Sequence, residues 1–193
     1  MKVLVLHAHP VETSFNAALH RLIVERLRAK GHDVDDCDLY AENFEPVLSR
    51  AERLAYHAPR TADEPVAPYV ARLKAAEALV LCFPVWNYGF PAIMKGYFDR
   101  VFLPDVSFAL VDGKVRPTLR NIRKLTAVTT YGGDRFRTWL MGDPPRRIVN
   151  RQLRATIKPG ARVSYLALHS MNLATDEKRA VFMEKVARHM DAF

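Results

Sequence analysis

Five runs of β-strand character alternate along this chain with segments of helical periodicity. One of the five runs, residues 34–39, is short and polar, as suits the edge of a sheet. The runs cover residues 2–6, 34–39, 78–83, 125–130 and 162–168. The helical segments cover residues 15–30, 66–76, 92–102, 144 to about 157, and 175–190. Asp143 is expected to cap the fourth of these helices. Strands that alternate with helices pair in parallel through right-handed crossovers. The pattern therefore predicts an α/β protein, a three-layer α/β/α sandwich around a five-stranded parallel sheet.

Length and cysteine content are typical of a small protein without crosslinks. The 193 residues fit one domain, predicted to span residues 1–193. The two cysteines, Cys37 and Cys82, form no disulfide framework. The sequence contains no apolar stretch near the ~20 residues of a membrane span, and the apolar start is too short for a signal peptide. We therefore expect a cytoplasmic protein with no membrane span.

Ligands of parallel α/β sheets bind beyond the carboxyl ends of the strands. The loops of interest are therefore residues 7–16, 84–91 and 131–143, which follow the three most apolar strands. Those strands are expected to be neighbours, so the three loops should meet at one edge of the sheet. A short hairpin around Asp112-Gly113 is expected between the second and third of these loops.

The first loop, HAHPVETSFN, leads directly into a helix. Because a helix N-terminus offers free N–H groups and a partial positive charge, it favours a phosphate. The chain has neither a GxGxxG nor a GxxxxGK[ST] motif, so His9, Thr13, Ser14 and Asn16 are the candidate anion ligands. An alternative interpretation is that Thr13 or Ser14 only caps the helix.

His7 and His9 have the alternate spacing that places two imidazoles on one face of a strand, as in many metal sites. This spacing raises the alternative of a zinc-dependent hydrolase. Glu12 is the one acidic residue of this loop, and no third ligand is evident. The sequence therefore predicts no metal site.

The second loop crowds Trp86, Tyr88 and Phe90 at the end of a strand, where a solvated turn is usually polar. A flat aromatic ligand and a subunit interface both explain this crowding. The third loop adds two hydroxyl groups and the glycines Gly132 and Gly133. An aromatic loop, a glycine loop and a phosphate-competent helix start together favour a crevice for a flavin mononucleotide unit.

The segments HAHPVETSFN, FPVWNYGFPAIMKGYFDRVF and TTYGG, in this order, resemble the NAD(P)H:quinone oxidoreductase family of flavodoxin-like flavoproteins. The resemblance implies a flavodoxin-like fold and a set of flavin-binding residues. On the phosphate side these are His9, Thr13, Ser14, Phe15 and Asn16. Around the ring they are Pro84, Val85, Trp86, Asn87, Tyr88, Gly89, Thr130, Tyr131, Gly132 and Gly133.

The resemblance also implies a function: oxidation of NAD(P)H and reduction of quinones or similar small electrophilic aromatics by ping-pong hydride transfer. The cofactor is FMN or FAD, the electron donor is NAD(P)H, and a homodimer is expected. Relatives carry a Tyr and a His further along the third loop as a proton relay, but this loop has no His. Tyr131 is therefore the candidate catalytic residue. A flavin-binding electron carrier without turnover is the alternative.

The basic surplus of the chain lies mainly in one region. The formal net charge is +8, and 13 Lys and Arg residues stand between positions 114 and 162 against only Asp134 and Asp143. A solvated helix face is one interpretation. A second is that Arg135 and Arg137 meet the 2′-phosphate of NADPH. The sequence shows no recognised nucleic-acid motif, so no nucleic-acid partner is expected.

Overall fold

A computed structural model describes residues 1–58 and 64–193 of the chain. The central sheet is parallel and five-stranded, in the order β2-β1-β3-β6-β7. The strands are β1 (Lys2–His7), β2 (Asp33–Asp38), β3 (Ala78–Val85), β4 (Phe108–Val111), β5 (Lys114–Pro117), β6 (Lys124–Tyr131) and β7 (Arg162–Leu168). Strands β1, β3 and β6 are adjacent, as predicted. β4 and β5 form the expected antiparallel hairpin through Asp112-Gly113.

Helices cover both faces of the sheet. They are α1 (Phe15–Ala29), α2 (Arg50–Leu54), α3 (Ala67–Ala75), α4 (Ala92–Val101), α5 (Arg135–Leu140), α6 (Pro144–Arg147), α7 (Arg154–Thr156) and α8 (Asp176–Asp191). α1 and α8 pack on one face, while α3, α4 and the helical segment from α6 to α7 pack on the other. The predicted three-layer α/β/α sandwich is confirmed.

Strand β1 shows why its sequence is apolar throughout rather than alternating. Val3 and Val5 lie in the core beneath α1 and α8. Leu4 and Leu6 point to the opposite face and lie in the core beneath α4. Successive side chains of a strand point to opposite faces, so a strand covered on both sides requires apolar residues at every position.

Two sequence predictions between residues 131 and 156 need correction. The segment expected to be a loop contains α5, in which only Thr138 is buried, so its sequence carries no apolar stripe. Asp143 was expected to cap the following helix, but its side chain makes no capping hydrogen bond. Its carboxylate accepts instead from Tyr131 and Arg146, at 2.6 Å each. A π-helical stretch, Ile148–Leu153, then joins α6 to α7.

The excursion after β2, which leads from β2 to α3 and includes Glu45, Pro46 and Glu52, is held against α4 by a glycine and an arginine. A Cβ at Gly96 would overlap the backbone of Pro46, so glycine alone permits this close approach. The buried guanidinium of Arg100 donates to Glu52 Oε1 at 2.9 and 2.6 Å and to the carbonyl of Glu45. This excursion also contains residues 59–63, which lie outside the described part of the chain.

None of the helices in residues 1–58 and 64–193 combines the length and apolar character that crossing a membrane requires.

Gly96→Ala is expected to destabilise the protein by about 2 kcal/mol, although alanine is favoured over glycine in a helix by roughly 1 kcal/mol. The added methyl group must displace Pro46 and loosen the contact between the excursion and α4. Urea unfolding followed by circular dichroism measures the change. Lys95→Ala, an exposed neighbour in the same helix, is the control and should change stability by less than about 0.5 kcal/mol. Equal stability of the Gly96 variant and the parent protein would contradict the role of this contact.

Candidate functional site

The three predicted loops meet in one crevice at the carboxyl ends of β1, β3 and β6. The cavity there measures about 330 Å³. It is lined by His9, Ser14, Phe15, Asn16, Pro84, Val85, Trp86, Thr130, Gly132, Met171 and Asn172. All but the last two belong to the set predicted from the sequence. The crevice therefore has a polar end at the start of α1 and an apolar, aromatic wall after β3.

The polar end is built on the first turn of α1. Ser14 is the N-cap, and its Oγ accepts from the N–H of Ala17 at 3.1 Å, so the capping interpretation holds for this residue. Capping satisfies one of the free donors of the first turn and leaves the N–H groups of Phe15 and Asn16 without an intrahelical acceptor. The start of this 15-residue helix is therefore suited to an anion.

The side-chain amide of Asn16 adds a second hydrogen-bond donor at the polar end of the crevice. This residue is 3% exposed, and Nδ2 has no hydrogen-bond partner within the described residues. A buried donor without an acceptor costs about 1–3 kcal/mol. An oxygen-rich ligand in the crevice would remove this cost.

His9 lies between the polar end and the aromatic wall. Its Nδ1 lies 3.0 Å from the backbone N and 3.2 Å from the carbonyl O of Val11, and its ring meets Trp86 edge to face, with centroids 5.8 Å apart. Partial burial lowers the pKa of His9. Because Nδ1 is engaged with Val11, Nε2 is the ring nitrogen available to a ligand.

The aromatic wall rests on a tight turn. Trp86 and Gly89 exchange two backbone hydrogen bonds, from Trp86 N at 3.2 Å and from Gly89 N at 2.8 Å. The two central residues, Asn87 and Tyr88, have φ values of 49° and 57°. This is the left-handed conformation of a type I′ turn. The N–H of Gly89 is committed to the turn and is not a donor for a ligand.

Several predicted site residues lie beside the crevice rather than in its lining: Thr13, Asn87, Tyr88, Gly89, Tyr131 and Gly133. Tyr88 nevertheless links two of the loops. A Cβ built at Gly133 would lie 3.6 Å from Tyr88 Oη, so the phenol reaches the loop after β6. The aromatic turn is thereby held against the glycine loop.

Tyr131 is buried and contacts other residues of the fold rather than the crevice. It is 2% exposed, its Oη donates to Asp143 Oδ1 at 2.6 Å, and Tyr165 Oη lies 2.6 Å away. Its ring stacks on His169, with centroids 4.6 Å apart. Burial and the neighbouring Tyr165 and Asp143 raise its pKa well above the usual range. Its hydroxyl does not line the crevice, so the structure gives the catalytic assignment no geometric support.

Met171 and Asn172 were missed by the sequence analysis. They belong to a 3₁₀ turn, Met171–Leu173, that follows β7. A Cβ at Gly132 would lie 3.5 Å from Asn172 Nδ2, which places this turn against the glycine loop. The sequence could have indicated these two residues, because the loop after the fifth parallel strand begins at the same edge of the sheet as the other three loops.

The paired histidines His7 and His9 do not form a common ligand set. His7 is buried, its Nδ1 lies 3.0 Å from Asp38 Oδ2, and its ring stacks on His20 at 4.1 Å. His20 Nε2 lies 2.7 Å from the carboxylate of Asp36. Ligand-type atoms of His7, His20 and Asp38 lie within 4.8 Å of one another. However, the two rings are parallel to within 3°, so their nitrogens do not converge on one point.

Comparisons with known proteins show the family to which the chain belongs. The family model described as Flavodoxin-like fold matches residues 1–189. The chain therefore belongs to the flavodoxin-like family, and the fold predicted from the motifs is confirmed.

Particular relatives agree with the quinone oxidoreductase resemblance. NAD(P)H dehydrogenase [quinone] 1 of Rattus norvegicus is 32% identical over 148 residues, which cover 68% of this chain and 54% of the relative. The chain spans about half the length of the first curated relatives that it matches.

Two solved structures match over nearly their whole length. Smu.1420 from Streptococcus mutans UA159 is 28% identical, with a TM-score of 0.83 and full coverage of both chains. The NAD(P)H:quinone oxidoreductase from Methanothermobacter marburgensis is 25% identical, with a TM-score of 0.80, and the match covers 99% of this chain and 98% of that one.

The environment of His7 predicts a pH dependence of stability. Burial, followed by the neighbouring His20, lowers its pKa in the folded protein. The unfolded chain then binds more protons below pH ~6.5, so the contribution of His7 is complete above that pH and is lost as the pH falls through the folded pKa. Between pH 7.5 and 5.5, the free energy of unfolding of His7→Gln should fall less steeply than that of the parent protein.

Urea unfolding at several pH values measures this dependence. His57→Gln removes an exposed histidine and should keep the parent slope. The same slope in the His7 variant as in the parent would show that His7 makes no pH-dependent contribution.

Proposed function

We propose that this protein is a flavin-dependent NAD(P)H oxidoreductase that reduces quinones or similar small electrophilic aromatics. The observation that carries the proposal is the crevice, in which the donors of α1 and the apolar wall around Trp86 face one cavity. The three segments that resemble quinone oxidoreductases are the segments that build it. The names of the rat and Methanothermobacter relatives agree with this function.

The crevice fits the two chemically different ends of a flavin mononucleotide. A phosphate group suits the first turn of α1, where Asn16 Nδ2 is a buried donor without a partner. The planar ring suits the wall formed by Pro84, Val85 and Trp86 on one side and Thr130 and Gly132 on the other. Of these residues, only Trp86 is substantially exposed as an apolar side chain, at 42%.

When bound, a flavin supplies the hydride acceptor and donor chemistry between NAD(P)H and a quinone. The residues of the chain supply binding and orientation. Trp86 and Val85 exclude water from one side of the crevice, His9 offers Nε2 for a hydrogen bond, and Tyr88 lies against the loop after β6. Tyr131 supports the loop after β6 from behind.

We propose FMN rather than FAD as the cofactor. The polar end of the crevice provides donors for one phosphate, and the remaining lining provides walls for one planar ring. The homodimer expected from the resemblance stays a prediction, which sedimentation equilibrium tests.

Protein reconstituted with FMN and then freed of unbound flavin should stay yellow, with absorbance near ~450 nm, because the oxidised flavin ring absorbs there and remains bound in the crevice. Anaerobic NADH or NADPH should bleach this colour, and a benzoquinone should restore it. A spectrophotometric titration measures both steps. Protein that takes up neither FMN nor FAD would overturn the proposal, and uptake of FAD alone would overturn the choice of cofactor. Reduction that no quinone reverses would favour a passive electron carrier.

Asn16→Ala and Trp86→Ala should each weaken FMN binding by roughly tenfold or more. The Asn16 variant should lose little stability without flavin, because Nδ2 has no partner among the described residues and Oδ1 accepts only a weak contact from Cys82 Sγ at 3.8 Å. Isothermal titration calorimetry gives the affinities, and thermal unfolding checks the fold. Trp139→Ala, which removes the other tryptophan, lies outside the crevice and should leave FMN affinity within about twofold. Unchanged affinity in both site variants would contradict the assignment.

A further inference from the structure

A second cavity, of about 340 Å³, lies at the same end of the sheet and is strongly basic. Its wall includes Arg135 and Trp139 of α5, Arg146 and Arg147 of α6, and His169 after β7. Nothing in the flavin crevice accounts for this concentration of guanidinium groups.

The acidic groups near this cavity are already occupied. Asp143 accepts from Tyr131 and from Arg146 Nε, and the guanidinium of Arg146 also lies over the ring of Tyr165 at 4.4 Å. In the part of the chain that the structure describes, neither Arg135 nor Arg147 has a carboxylate within ion-pair distance. Two guanidinium groups thus face the cavity with no negative partner.

One of them lies beside Gly142. A Cβ built on this glycine would lie 3.6 Å from Cζ of Arg147, an ordinary contact distance. The guanidinium of Arg147 is therefore at the wall of the cavity. Arg137, in contrast, does not line the cavity, is 73% exposed, and pairs with Asp134 at 3.5 Å. Arg147, rather than the Arg137 of the sequence hypothesis, therefore shares this cavity with Arg135.

The basic cavity and the flavin crevice flank one short segment. His169 lines the basic cavity, whereas Met171 and Asn172 line the crevice. Between them Ser170 adopts a left-handed conformation, with φ 55°, and its N–H donates to the carbonyl of Gly133 at 3.0 Å. One ligand that reaches from the crevice across this segment would enter the basic cavity.

We propose that the basic cavity binds the adenosine 2′-phosphate of NADPH, with Arg135 and Arg147 on the phosphate and the indole of Trp139 beside the purine. This inference rests on the proposed oxidoreductase function. Guanidinium groups match phosphate oxygens with paired hydrogen bonds, which favours a phosphate ester over a single carboxylate. Trp139 is 71% exposed and offers a flat apolar face next to these charges. The protein accordingly prefers NADPH to NADH.

The test compares both donors in FMN-loaded protein with a benzoquinone as acceptor. Arg135→Gln and Arg147→Gln should each lower kcat/KM for NADPH by roughly tenfold, the loss expected for one charge-assisted hydrogen bond. Values for NADH should stay within about twofold. Arg151→Gln removes the same charge from an exposed position outside the cavity and should leave the NADPH-to-NADH ratio unchanged.

A binding measurement separates this inference from the proposed function. Adenosine 2′,5′-bisphosphate and adenosine 5′-monophosphate are titrated calorimetrically into the flavin-free protein and into each variant. The 2′-phosphate compound should bind more tightly to the parent protein, and the double variant Arg135→Gln/Arg147→Gln should lose that advantage. Preferential binding without turnover of either donor would support the cavity and overturn the oxidoreductase function.

Two results would overturn the cavity assignment. One is turnover of NADPH and NADH with a ratio that the double variant does not change. The other is an equal loss in Arg151→Gln, which would show general attraction by the basic surface instead of a site.

Discussion

The parallel pairing of β1, β3 and β6 is the constraint on which the site depends. In this register His7 lies opposite Cys82, and Val85 lies opposite Tyr131, so the carboxyl ends of three strands reach one edge of the sheet. The loops that follow these strands therefore begin side by side at that edge. A shift of one residue between neighbouring strands would exchange the two faces, so Val3 and Val5 would face the core built around Leu4 and Leu6, and the packing on both sides of β1 would be disrupted. The crevice is thus a consequence of the same apolar pairing that stabilises the fold.

Much of this arrangement was predictable because burial on both faces leaves a strong sequence signal. The continuous apolar runs of β1 and β3 identified the centre of the sheet, and the crowded aromatic residues after β3 identified the wall of the crevice. The turn at Met171 and Asn172 was missed because β7 is only partly buried, so its sequence is less apolar than those of the three strands whose loops were expected to form the site. α5 was missed because a helix with one buried residue has no amphipathic pattern to detect.

Charge was the least informative feature at the sequence level. The number of basic residues between positions 114 and 162 does not indicate which guanidinium groups form ion pairs with neighbouring carboxylates. In the folded chain Arg137 pairs with Asp134 and Arg146 with Asp143, whereas Arg147 is held beside Gly142. Side-chain partners depend on tertiary contacts, so an Asp expected to cap a helix became the acceptor for Tyr131.

The turn at Asn87 and Tyr88 places a limit on how the protein can evolve. Two consecutive residues with side chains adopt the left-handed conformation there, at a cost of roughly 1 kcal/mol or more each. Glycine at either position would relieve that strain, so mutations that raise thermal stability are readily available in this turn. Glycine in place of Tyr88, however, would remove the phenol that reaches Gly133. A glycine at position 88 would therefore relax the backbone and loosen the aromatic wall in one step.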